Sequence, residues 1–324
     1  MNISLEDHHF WAKIAKLYYE DDLTQGEIAK KLGYSRVKIH RILRSAKEAG
    51  IVQVNINTLD SEIIDLENRL IHQFGLRDCI IVDDYPPGDD LYQALAKAAG
   101  AWLKNRIQPG LRVGLGLGRT LSYLPQVFGI EKAVPLIFTE VAGAVSDHSW
   151  GVESNNIASH MAKIFHAKAE LFYAPTLVST SALKNQLIKE RSVKRSLERA
   201  RNCDIVLQSV GPVDETAILF LQGYINRSEL DELRSAGAVG DALGCFYDRS
   251  GKIIPSPIDD LMIGLHLSEL ADIPWSVLIA GGPEKIQPIG AALAGGYFNV
   301  LITNLKSAQE LVLSQKQDPP YNVS

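Results

Sequence analysis

The chain has 324 residues, 46% of them hydrophobic and 22% charged, with a formal net charge of −5. That composition suits a globular protein with material for a sizeable core and excludes a disordered or collagenous chain. No apolar run is long enough to span a bilayer, and the N-terminus lacks a basic-then-apolar leader. The three cysteines, Cys79, Cys203 and Cys245, form no CxxC pair. A zinc ribbon and a disulfide framework are therefore not expected, and a reducing, cytoplasmic setting is.

In chain order, residues 9–19 read as an apolar-periodic helix, with Phe10, Ile14, Leu17 and Tyr18 on one face. Residues 24–50, TQGEIAKKLGYSRVKIHRILRSAKEAG, then read as a helix-turn-helix. Thr24 caps the first helix, and Ala29 stands where the helices cross. Gly33 supplies the positive φ of the turn, and Ser35 caps the second helix. Ile39 and Ile42 share one face of that second helix and pack back on the first. Arg36, Lys38, His40, Arg41 and Arg44 are left to project, as a helix entering the major groove of DNA requires. The stretch holds seven basic and two acidic residues, a net +5, which leaves −10 for the rest of the chain. A basic block on an acidic protein is the electrostatic footprint of phosphate binding. The candidate DNA-binding residues are Thr24, Gln25, Ser35, Arg36, Lys38, His40, Arg41 and Arg44, with Lys30 and Lys47 on backbone phosphates. The expected partner is double-stranded operator DNA.

Ile51, Val52, Val54 and Ile56 form a strand pattern over 51–57 and point to a winged variant of the motif. The DNA-binding domain is thus expected to span 1–57. Residues 60–74 read as a connecting helix, with Ile63, Leu66, Leu70 and Phe74 at helical spacing. From residue 78 onward, short apolar runs alternate with helical patterns. Strands are predicted at 79–82, 112–118, 136–143, 204–211, 275–282 and 299–303. Helices are predicted at 91–107, from 120 to 128, and at 154–166, 286–296 and 307–313. This alternation predicts a doubly wound α/β domain over 58–315 with a largely parallel sheet. A polar tail over 316–324 completes the chain.

Several strand ends carry glycine. GLGLGRTL runs from Gly114 to Leu121, with Gly114, Gly116 and Gly118 able to bring backbone close to a ligand. Arg119 and Thr120 stand at the start of the following helix, where an anion is favoured. The spacing is neither that of a dinucleotide fingerprint nor that of a Walker loop. AGGPEK places Gly281, Gly282 and Lys285 at a second strand end, and SVGP places Gly211 at a third. Ligands of open parallel sheets sit beyond the carboxyl ends of strands, so these ends point to one anion pocket. In GAVGDALGCFYD, Asp241 is placed to accept hydrogen bonds from sugar hydroxyls.

These blocks, in this order, resemble the SorC family of sugar-responsive bacterial transcription regulators. The resemblance rests on LTQGEIAKKLGYSRVKIHRIL, GLGLGRTL, GAVGDALGCFYD, AGGPEK and IGAALAGGYFNVLIT. It implies a helix-turn-helix joined to an effector domain similar in fold to ribose-5-phosphate isomerase and glucosamine-6-phosphate deaminase. It further implies a phosphorylated sugar or polyol as effector, held by the Gly114–Thr120 and Gly281–Lys285 segments with Asp241 on a hydroxyl. Self-assembly into a homodimer or homotetramer also follows from it. Where relatives often show a double-glycine turn, this chain reads EVAGAVSDHSWG, so Glu140 and Ala144 alter the expected pocket floor.

An isomerase fused to a DNA-binding domain is the alternative, with Asp241, Glu140 or Glu153 as base. No pattern pairs any of these with an acid, and no GxSxG elbow occurs. His148, His160 and His166 lack metal-ligand spacing. The expectation is a sensor without catalytic residues, metal or cofactor.

Overall fold

The computed structural model describes residues 5–52, 61–129, 131–144 and 157–314. The chain divides into two compact units, Met1–Ser61 and Glu62–Ser324.

In the first unit, α1 (Leu5–Tyr19), α2 (Gln25–Leu32) and α3 (Arg36–Glu48) follow one another. Their boundaries have local causes. The Thr24 hydroxyl accepts the Glu27 N–H while the Glu27 carboxylate accepts the Thr24 N–H, a reciprocal cap that starts α2. Gly33, at φ +70°, closes α2 with its N–H on the Ala29 carbonyl, a conformation in which a side chain is strained. Ser35 Oγ accepts the Lys38 N–H at 3.2 Å and starts α3. Ile14, Ala29, Ile39 and Ile42 form the core of the unit, as the sequence predicts, together with Ile28 and Leu43. The first helix begins at Leu5, ahead of the predicted start. Of the strand predicted over 51–57, only Ile51 and Val52 are described, in a bend; the rest lies outside the described residues.

The second unit opens with α4 (Ser61–Phe74), β1 (Asp78–Val82), α5 (Asp89–Lys104), β2 (Arg112–Leu115) and α6 (Arg119–Ser122). It continues through β3 (Ile137–Glu140), α7 (Ile157–Ile164), β4 (Lys168–Glu170), α8 (Ser181–Leu187), α9 (Arg191–Arg201) and β5 (Ile205–Gln208). Next come β6 (Gly211–Pro212), α10 (Ile218–Leu221), α11 (Arg227–Ser235), β7 (Gly240–Ala242), β8 (Cys245–Tyr247) and β9 (Ile253–Ile254). The last elements are β10 (Trp275–Ile279), α12 (Ile286–Ala294), β11 (Val300–Asn304) and α13 (Leu305–Ser314).

Seven strands form one parallel sheet in the order β1-β11-β10-β5-β2-β3-β4. Side chains alternate across it, so each face has its own core. Val113, Leu115, Ile205, Leu207, Val277 and Ile279 pack with α5 and α7 on one face. Val206, Leu278, Ala280 and Leu301 pack with α4, α12 and α13 on the other. Helices on both faces make the sheet doubly wound, as predicted. From β2 the chain winds outward through β3 and β4; from β5 it winds outward the other way through β10 and β11. The winding reverses between β2 and β5, and a ligand crevice of an open sheet lies at such a point.

Four short strands form a separate antiparallel sheet, β6-β7-β8-β9, which the sequence did not announce. Other expectations need correction. The strand predicted over 112–118 stops at Leu115, so Gly114 lies inside β2 and not in the turn. A side chain there would press on Val141, Cys203 and Val206 within 2.9 Å, because side chains from the flanking β3 and β5 segments close over the strand at that point. The helix predicted from 120 to 128 breaks after Ser122 and resumes as a 3-10 turn over Leu124–Val127, because Pro125 cannot donate to a continuous helix. All three cysteines are free and buried. His160 and His166 are solvent-exposed, whereas His148 and Glu153 lie outside the described residues, as do 154–156 of the predicted helix and the tail.

Candidate functional site

At the reversal point, beyond the ends of β2, β5 and β10, lies a cleft that is open to solvent on one side. Leu117, Gly118 and Arg119 come from the end of β2, Gln208 to Pro212 from the end of β5, and Lys285 from the turn after β10. The antiparallel sheet supplies Asp241, Ala242 and Leu243. Thr216, Leu219 and Tyr224 form a further wall with Leu177 and Met262. The cleft therefore has one polar end and one apolar side.

Lys285 dominates the polar end. It is only 7% exposed, and its Nζ reaches Ser209 Oγ at 3.4 Å. The Nζ lies 5.9 Å from the centre of the Tyr92 ring, and the Arg119 guanidinium lies 5.3 Å from the same ring. Tyr92, on α5, is thus a shared aromatic platform for two cations. Burial pushes the Lys285 ammonium down to about 8, and the neighbouring Arg119 charge pushes the same way. Glu284 and Asp241 attract the Lys285 charge, but neither cation has a carboxylate at ion-pair distance among the described residues. Burial also pushes the Asp241 carboxyl up to about 6, against the attraction of Lys285 and the Gly244 N–H.

Glycines make room for this chemistry. Gly211 pairs with Asp241 across β6 and β7, and a side chain at 211 would collide with the Asp241 carboxylate. A side chain at Gly116 would collide with the Gln208 amide. Gln208 donates from Nε2 to the Ser209 carbonyl at 2.7 Å, and its buried Oε1 has no partner among the described residues. Gly118 holds φ +148° where the chain leaves the sheet toward α6.

Of the residues picked from the sequence, Gly118, Arg119, Gly211, Asp241 and Lys285 converge on the cleft. Gly114, Gly116, Thr120, Gly281 and Gly282 do not line it. Thr120 is 1% exposed, at the start of a four-residue helix too short for a useful dipole. The Gly282 N–H is already spent on Asn304 Oδ1 and Ser307 Oγ, both at 3.1 Å, so it is not a free amide for an anion. Glu140 and Ala144 line a smaller neighbouring cavity with Gly116, and Glu140 accepts the Phe172 N–H at 2.7 Å. Ser209 opens the SVGP strand end expected at the pocket, whereas Gln208 and Tyr92 were not expected there. A polar residue ending a strand, as Gln208 ends β5, was the available signal for the first; Tyr92 carried none.

In the N-terminal unit, Thr24 and Ser35 are exposed but occupied as helix caps, and Gln25 is half-buried. Arg36, Lys38, His40, Arg41 and Arg44 are all exposed on α3. Lys38 Nζ rests 4.1 Å from the centre of the Tyr34 ring, and Arg44 Nε pairs with Glu48 Oε1 at 2.9 Å. The described residues contain no cluster able to hold a metal ion and no helix long and apolar enough to cross a membrane.

Residues 60–313 match the family described as "Putative sugar-binding domain". The LsrR transcriptional regulator of Escherichia coli (strain K12) is 31% identical over 307 residues, covering 94% of each chain. A deoxyribonucleoside regulator of Bacillus subtilis is 29% identical over 92% of this chain and 95% of that one. The full-length sorbitol operon regulator SorC of Klebsiella pneumoniae superposes with a TM-score of 0.71 at 26% identity, over 96% of this chain and all of that one. With a sugar-binding domain behind a helix-turn-helix and relatives matched end to end, the chain belongs to the SorC family of transcriptional regulators.

Proposed function

We propose that α3 binds operator DNA and that a phosphorylated sugar or polyol in the cleft controls that binding. The observation that carries the effector class is the pairing of buried Lys285 with Arg119 around Tyr92, where Glu284 and Asp241 act on the Lys285 charge only from beyond ion-pair distance. Charge buried in this way is retained for a ligand that completes it. A phosphate supplies the missing charge, and ionised Asp241 and the Gln208 oxygen accept hydrogen bonds from sugar hydroxyls. The names of the relatives, a sorbitol operon regulator and a deoxyribonucleoside regulator, support a carbohydrate or polyol operon.

In this reading residues 1–57 hold the DNA, 58–315 sense the effector and carry self-association as a dimer or tetramer, and 316–324 are a tail. The protein works in the cytoplasm without a cofactor, and Asp241 recognises a hydroxyl and does not act as a base. A thermal-shift panel of phosphorylated and unphosphorylated sugars and polyols tests the proposal. At least one phosphorylated compound should raise the melting temperature and change affinity for duplexes selected by the protein. No stabilisation by any of them would overturn the effector reading. Isomerised product on prolonged incubation would overturn the non-enzymatic one.

A further inference from the structure

Successive residues of a helix are rotated by about 100° around its axis, so the buried stripe of α3 defines the opposite face. Ile39, Ile42, Leu43 and Ala46 are buried. Directly opposite run Val37, Arg41 and Arg44, at helical spacing i, i+4 and i+7. Arg36 and Lys38 fall on the flanks, and Lys38 is folded over Tyr34. The middle of the outward face thus begins with an apolar side chain in the first turn of α3. Val37 is 77% exposed, more than the other exposed large apolar side chains of the described residues, and no core packing accounts for it. A β-branched residue is also a poor helix former, so helix propensity does not favour it there.

We infer that Val37 is a specificity residue that reads thymine. Its isopropyl group docks on the C5 methyl of a thymine exposed in the major groove, the one apolar feature that duplex DNA presents there. Arg36, Lys38 and Arg41 surround Val37 with positive charge complementary to the phosphates on either side of the groove. The N-terminal turn of a groove-bound helix is the part that meets base edges. The inference rests on the reading that α3 enters the major groove, and the test separates the two.

Duplexes selected by the full-length protein from a random pool give the preferred sequence. Each thymine in it is then replaced singly by deoxyuridine, which removes the methyl group and nothing else. At one or more positions wild-type affinity should fall about fourfold, the value of one buried methyl group. Val37→Thr, which keeps a methyl, should retain that preference, whereas Val37→Ser should bind thymine and uracil duplexes equally. The salt dependence should be the same for all, because no phosphate contact changes. Undiminished thymine preference in Val37→Ser, or sequence-specific wild-type binding with no uracil-sensitive position, would overturn the methyl contact alone. Failure to select any sequence would overturn groove binding by α3 and the contact with it. Melting curves of the variants, at an exposed position, check that each is folded.

Discussion

Burying Lys285 beside Arg119 opposes folding. Its ammonium titrates at about 8 in the folded chain against an ordinary 10.5. Between those values the unfolded chain binds more protons, so this residue makes stability rise as pH rises through that window. Below about 8 the buried charge is present and costs the empty protein free energy. Lys285→Met should therefore stabilise the empty protein near neutral pH by about 1–4 kcal/mol, read from chemical denaturation. The same variant should bind a phosphorylated effector at least about tenfold more weakly, because a charge-assisted contact is lost. Effector affinity of the wild type, measured by calorimetry, should fall on both sides of neutrality. It declines above about 8, where Lys285 loses its proton, and below about 6, where the Asp241 carboxyl gains one. Lys285→Met should lose the alkaline decline and keep the acid one.

Among the elements, β2 shows how one glycine run divides its tasks. Gly114 admits side chains from the flanking strand segments, Gly116 admits the Gln208 amide, and Gly118 turns the chain. Gly114→Ala should lower the unfolding free energy by about 1–3 kcal/mol, the cost of overpacking between Val141, Cys203 and Val206. Unchanged denaturation midpoints would refute that packing role. The run itself was legible in the sequence, but the division was not, because it depends on residues far along the chain. The helix-turn-helix was legible almost residue by residue, since caps, turn glycine and packing stripe all lie within one short segment. The apolar parallel strands were legible for a similar reason. β4 was not: Lys168–Glu170 is polar, and its Glu170 is buried only because Arg112, Lys168 and Arg199 surround it. The two- and three-residue strands of the antiparallel sheet are too short to show a period. Tyr92 reads as one more apolar position of α5, and only the tertiary fold brings two cations to its ring.

For the molecule as a whole, effector control is a coupling between two binding equilibria, and such coupling is reciprocal. If a sugar phosphate changes operator affinity by some factor, the operator duplex must change sugar-phosphate affinity by the same factor. Calorimetric titration of the effector with and without the duplex checks this, and unequal factors would exclude a simple two-ligand linkage. The strand order adds a consequence for biosynthesis. Contacts in the helix-turn-helix join residues close in sequence, whereas β1 pairs with β11, Asp78 opposite Val300. Local contacts form early and distant ones late. The core around α3 can therefore be complete while the ribosome is still making the second unit, but the cleft must wait for β10 and the turn carrying Lys285. A message cut short would yield α1 to α3 without the cleft and, on the proposed division of labour, without the self-association that pairs two such motifs on an operator. Such fragments should hold operator duplexes far more weakly than the full chain and show no response to the effector at any concentration.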